Sequence, residues 1–182
     1  MKHEALLPLI AATMAFFAGT PPVRAQVPDA QLREHIVRSL DENGQDVWRD
    51  DRIPTMPDTS ICFLYIGRKQ TGDPWLRLQV RFASHKGLLM SRIKFSKGEV
   101  SAEIDAPADL VHNGNNGMIA WEWYDAPPSE GELETIRTLI AEPGVKLTVF
   151  GRERTVERDL TETERLAMAN VFQQALVLGR QP

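Results

Sequence analysis

What most constrains this chain is strict alternation of apolar and polar residues in its middle third. Across Trp75–Phe82, Leu76, Leu78, Val80 and Phe82 share one side, and Arg77, Gln79 and Arg81 share the other. Successive side chains of a strand point to opposite faces, so this pattern predicts a β-strand with one covered and one wet face. After a turn at His85-Lys86-Gly87, Leu89, Ile93 and Phe95 oppose Arg92 and Lys94. After another at Lys97-Gly98, Val100, Ala102 and Ile104 alternate with Ser101, Glu103 and Asp105. Such short turns join antiparallel neighbours, because parallel strands need long crossovers. The basic row on one strand is expected beside the acidic row on the next, which helps fix their register.

Further elements flank this centre. An amphipathic helix is predicted from Asp29, with Leu32, Ile36, Val37 and Leu40 on one face and Asn43-Gly44 as its stop. Residues 49–60 read as a loop, and Ile61–Ile66 as a buried strand ended by Gly67. His112-Asn113-Gly114-Asn115-Asn116-Gly117 reads as a loop before a strand over Met118–Tyr124, whose Ile119, Trp121 and Trp123 share the expected core face. Ser129…Glu132 and Thr161…Glu164 match capping boxes, each opening a helix. Between those helices, Val145–Val149 and Glu153–Arg158 read as a hairpin turned at Gly151-Arg152. The expected fold is α+β: a curved, mainly antiparallel sheet of about six to seven strands with about three helices on one face or end.

The N-terminus has the layout of a secretory signal peptide. Lys2 precedes an uncharged, largely apolar run from Ala5 to Ala18, and Val23-Arg24-Ala25 offers a small-residue cleavage site. Residues 1–25 are therefore expected to be a cleavable signal peptide, and 26–182 a single domain in the periplasm or outside the cell. The apolar run is shorter than the roughly 20 residues that cross a bilayer. With 42% hydrophobic and 25% charged residues and a net charge of −4, the chain resembles an ordinary globular domain rather than a basic nucleic-acid binder. No membrane span is expected after signal cleavage.

Catalytic chemistry has little support in the sequence. His35, His85 and His112 lack the spacing of a metal site, and no serine or glycine-rich motif matches a nucleophile elbow or a phosphate cradle. Neither a metal, a cofactor nor a catalytic residue is expected. The single cysteine, Cys62, sits among large apolar residues, as a buried strand residue would. The leading expectation is a non-enzymatic binding or accessory protein, such as an inhibitor or chaperone-like module, whose partner is an envelope protein. Arg77, Arg81, Arg92, Lys94, Glu122 and Tyr124 are its candidate contacts. One alternative is an envelope glycan or peptide hydrolase using Glu122 and Asp125, since paired carboxylates near aromatics are the parts of a glycosidase site. Another is a small-ligand carrier with an apolar pocket between sheet and helices.

Overall fold

In the computed structural model, residues 34–41, 43–68 and 74–179 are described. The predicted signal peptide, the start of the predicted first helix and residues 69–73 of the loop before Trp75 lie outside them. The described residues form ten strands and two helices. The strands are β1 (Ile36–Leu40), β2 (Asp46–Asp50), β3 (Ile61–Arg68), β4 (Trp75–Ser84), β5 (Met90–Lys97), β6 (Val100–Asp105), β7 (Val111–Asn115), β8 (Ala120–Ala126), β9 (Lys146–Gly151) and β10 (Thr155–Asp159). The helices are α1 (Glu130–Ile140) and α2 (Glu162–Val177). No helix among the described residues is long and apolar enough to cross a membrane.

The α+β class and the antiparallel pairing hold, but two sheets replace the expected one. The larger has six strands in the order β1-β2-β3-β4-β8-β7, and the smaller has four in the order β10-β9-β5-β6. Every pairing is antiparallel. The chain leaves the large sheet after β4, makes the β5–β6 hairpin in the small sheet, and returns for β7 and β8. Helix α1 packs on β5 and β6, and α2 packs on β1, β2 and β3. One apolar cluster joins the layers, with Leu64, Ile66, Leu76 and Leu78 from the large sheet, Ile93, Phe95 and Leu147 from the small sheet, and Ile136, Met168 and Val171 from the helices.

The β5–β6 hairpin has the expected charge rows. Arg92 faces Asp105 and Lys94 faces Glu103, and Lys94 Nζ lies 2.9 Å from Glu103 Oε1. Both capping boxes form, with the Ser129 and Thr161 hydroxyls accepting from the Glu132 and Glu164 backbone N–H groups. The Glu164 carboxylate is also buried. It accepts from Arg158 Nη1 (2.7 Å), Arg158 Nη2 (2.5 Å) and the Cys62 N–H (2.7 Å). That last bond satisfies a β3 donor beyond the short stretch where β2 pairs with it.

Four local expectations are corrected. Residues Ile36–Leu40 form β1, not a helix. Asn43-Gly44 belongs to the β1–β2 turn: Asp41 Oδ1 accepts from the Asn43 and Gln45 N–H groups, and Gly44 has a φ of 73°. Adjacent β-branched Ile36 and Val37 suit a strand, and an Asn-Gly turn is a hairpin signal. Residues Asp46–Asp50 form β2, so the loop after it is shorter than expected. Val111–Asn115 form a strand because their backbone pairs with β8. Leu89 does not share the Ile93/Phe95 face: it is half exposed at φ 55°, and a bulge between Met90 and Arg92 resets the strand.

Candidate functional site

The two faces of β8 are the reverse of those expected. Trp121, Trp123 and Asp125 point to the solvent side of the large sheet, while Glu122, Tyr124 and Ala126 point into the core. The cause lies in the connection entering β5. Leu88 and Leu89 donate their N–H groups to Glu122 Oε1 at 2.5 and 2.9 Å, and Met90 donates to Oε2 at 2.8 Å. Leu88 and Leu89 precede β5 and Met90 opens it, and a buried N–H needs an acceptor. The carboxylate supplies it from inside, so the tryptophans are turned outward.

Period-two geometry assembles a face on that outer side. Gln79 is in register with Asp125 and Phe63, Arg77 with Tyr65, and Arg81 with Trp123 and Ile61. Trp123 in turn is in register with His112. Asp125 is the polar centre. It accepts from Tyr65 Oη at 2.9 Å, Arg77 Nε at 2.7 Å and Gln79 Nε2 at 3.1 Å, while Arg77 Nη2 donates to the Asp125 carbonyl at 2.6 Å. Burial, reinforced by the Asp125 charge, pushes the Tyr65 hydroxyl well above the usual tyrosine range. Burial also works against the Arg77 charge, but the Asp125 carboxylate outweighs it and holds the guanidinium more firmly protonated.

The aromatic parts are set by absent side chains. A Cβ on Gly67 would lie 2.7 Å from the Trp75 ring, and one on Gly114 would lie 2.6 Å from the Trp121 ring. Each indole therefore crosses the neighbouring strand where only glycine leaves room. Trp123 packs against His112 with ring centroids 5.2 Å apart. Trp75, Trp121 and Trp123 are all only partly buried. From Trp75 to Ala83, the register partner of Trp121, β4 runs about 26 Å at the usual rise of a strand.

Arg81 lies within this face. Its Nη2 donates to Gln79 Oε1 at 3.1 Å, and its Nη1 donates to the Met56 carbonyl in the loop after β2. Among the described residues it forms no ion pair with a carboxylate, and burial draws its pKa below the ordinary guanidinium value. That loop also covers part of β3, where Ile53 packs with Ile61, Phe63 and Ala167.

The six candidate contacts thus fall in three places. Arg77 and Arg81 belong to the outer face just described. Arg92 and Lys94 lie on the small sheet, tied to Glu103, with Arg92 over the Phe150 ring at 4.2 Å. Glu122 and Tyr124 are core-facing, at 5% and 3% exposure. Glu122 and Asp125 are three residues apart on one strand, so they project from opposite faces and do not converge on a single bond. Sequence reasoning passed over Tyr65, Trp75, Gln79 and His112 as site residues; for Trp75 the one signal was Gly67, its register partner, and the other three had none.

Elsewhere the chemistry is sparse. No group of three or more His, Cys, Asp or Glu residues among the described ones could hold a metal ion. Cys62 is fully buried and unpaired, and desolvation pushes its thiol pKa well up. A cavity of about 160 Å³ is lined by Ser60, Arg81, Phe82, Leu147, Val149 and Val156 with Arg158. Comparison with known proteins found no matching family model, no matching curated protein and no matching solved structure.

Proposed function

We propose that this chain is an exported, non-enzymatic binding or accessory protein that holds a protein partner of the cell envelope on the outer face of its large sheet. The observation that carries this reading is the placement of Trp75, Trp121 and Trp123 on the solvent side, around the Arg77–Asp125–Tyr65 network. Tryptophan, tyrosine and arginine are the residues that most often dominate binding energy at protein interfaces. Their rings bury large areas at small entropic cost, and arginine pairs with planar acceptors. Export rests on the signal-peptide pattern of residues 1–25.

The test is capture of a partner from envelope extract by the full, C-terminally tagged chain, compared with a Trp121→Ser/Trp123→Ser variant. A stoichiometric protein lost with this variant, while circular dichroism shows the fold retained, supports the reading. Equal capture by both overturns the assignment of the face. A Leu78→Asp chain, disrupted in its core, controls for non-specific adhesion.

The carrier reading keeps one specific observation, the cavity between β4 and the β9–β10 hairpin. At about 160 Å³ it falls below the roughly 300–1,000 Å³ of drug-sized ligand sites, so any guest would be small. Native mass spectrometry of gently purified protein tests for one.

A further inference from the structure

Building on the proposed binding face, we infer that its occupant is an extended acidic segment of a partner protein, read chiefly by Arg49 and Arg81. The basis is charge complementarity. By alternation along β2, β3, β4, β8 and β7, the charged residues of the outer face are Arg49, Arg77, Arg81 and Asp125, with His112 beside Trp123. Asp125 neutralises Arg77. Arg81 donates only to neutral acceptors, the Gln79 side chain and the Met56 carbonyl. Arg49 forms no ion pair among the described residues. The strand residues of the face therefore carry a surplus of positive charge, on a chain whose net charge is −4, beside a loop that presents exposed Asp51 and Asp58.

The spacing of the two arginines restricts the occupant. Arg49 lies two strands from β4, near the level of Arg77, and Arg81 lies four residues further along β4. With strands about 4.8 Å apart and a rise of about 3.3 Å per residue, the two arginines stand about 16 Å apart. That is the reach of about five residues of extended chain. Carboxylates four to five positions apart in one segment would meet both guanidinium groups, which donate to a carboxylate in a bidentate fork. The Tyr65 ring lies between the two arginines, and the indoles of Trp123 and Trp121 lie one strand beyond Arg81, where they would cover apolar side chains that follow the second carboxylate. A membrane surface is a poorer fit, because lipid-binding clusters bring 4–8 basic residues together.

Titration calorimetry of the full chain with an oligo-glutamate peptide tests the inference, with oligo-lysine, alginate and phosphatidylglycerol vesicles as separate arms. Binding of oligo-glutamate alone is expected. It should weaken as salt rises, fall about tenfold or more in Arg81→Gln and in Arg49→Gln, and recover only in part in Arg81→Lys, which restores the charge but not the fork. Melting curves of the variants confirm that each is folded. Unchanged affinity in both glutamine variants overturns the inference, as does binding of alginate or vesicles without binding of the peptide. If a captured envelope partner is lost with the tryptophan variant but indifferent to salt and to Arg81→Gln, the binding face stands and the acidic occupant falls. If oligo-glutamate binds through both arginines while capture ignores the tryptophans, the acidic site stands and the reading of an envelope partner on this face falls.

Discussion

Replacing Glu122 by glutamine removes a charge that three backbone donors share, without changing the size of the side chain. In the native chain its two oxygens accept from Leu88, Leu89 and Met90 at 2.5, 2.9 and 2.8 Å, and the residue is 5% exposed. Glutamine keeps one oxygen for Leu88 and Leu89 but turns an NH2 group toward the Met90 N–H. An unsatisfied buried N–H costs about 1–3 kcal/mol. The two remaining bonds lose their ionic character, which is roughly half their strength. The sum is a loss of about 2–4 kcal/mol. At about 2 kcal/mol per molar in urea, the midpoint followed by circular dichroism should fall by about 1–2 M. Glu122→Ala, which removes both acceptors, should fall further. Glu153→Gln, at an exposed site, should stay within about 0.5 kcal/mol of wild type. A midpoint for Glu122→Gln that matches wild type would refute the assignment of the carboxylate as the anchor of this connection, and with it the account of why β8 faces the way it does.

Other outcomes follow from the same structure. Burial raises the Glu164 carboxyl pKa, but Arg158 and the Thr161 and Cys62 N–H groups outweigh it and hold the folded value below the ordinary 4.5. Its stabilising contribution is therefore complete above the unfolded pKa and is lost as pH falls through the lower folded one. Glu164→Gln should cost stability at pH 7 and flatten the acid side of the stability profile below about pH 4.5, measured by urea titration at several pH values. Cys62, buried with its thiol pKa raised, should resist Ellman's reagent in the native chain and react fully in guanidinium; native labelling would contradict its burial. Leu89 is half exposed at φ 55°, a backbone region that asparagine tolerates better than leucine. Leu89→Asn should be neutral or stabilising by up to about 1 kcal/mol in thermal melts. Gly114→Ala should displace the Trp121 ring, reduce partner capture and cost about 1–3 kcal/mol through overpacking, whereas Gly131→Ala has open space around it and should be tolerated.

What could be read from the sequence was what neighbouring residues decide between themselves. The β5–β6 hairpin, its charge rows and both capping boxes depend on contacts within a few positions, and all are present. The segment at Ile36 was ambiguous because five residues with apolar members at both spacings satisfy a helix and a strand alike. Its outcome was set by the Asp41 turn and by the pairing partner. In β8 the apolar side of the alternation, Trp121 and Trp123, favoured the wrong face for the core. The deciding contacts come from Leu88, Leu89 and Met90, more than thirty positions away, and nothing local announces them. The candidate site was half visible for the same reason. Arg77, Arg81 and Asp125 could be named, but their meeting with Tyr65 and the tryptophans required the order of strands in the sheet.

The outward turn of β8 also gives the molecule its own optical reporter. The fourth tryptophan, Trp48, is buried on the inner side beneath the Arg38 and Arg68 guanidinium groups. The other three are spread along the face proposed for binding, Trp75 at one end and Trp121 and Trp123 at the other. Intrinsic fluorescence therefore divides into two populations that respond to different events. A ligand settling on the sheet would dry the outer indoles and shift their emission to the blue while Trp48 stays as it was. Unfolding would wet all four and shift emission to the red. One unlabelled sample thus separates occupancy from stability by the direction in which its emission moves.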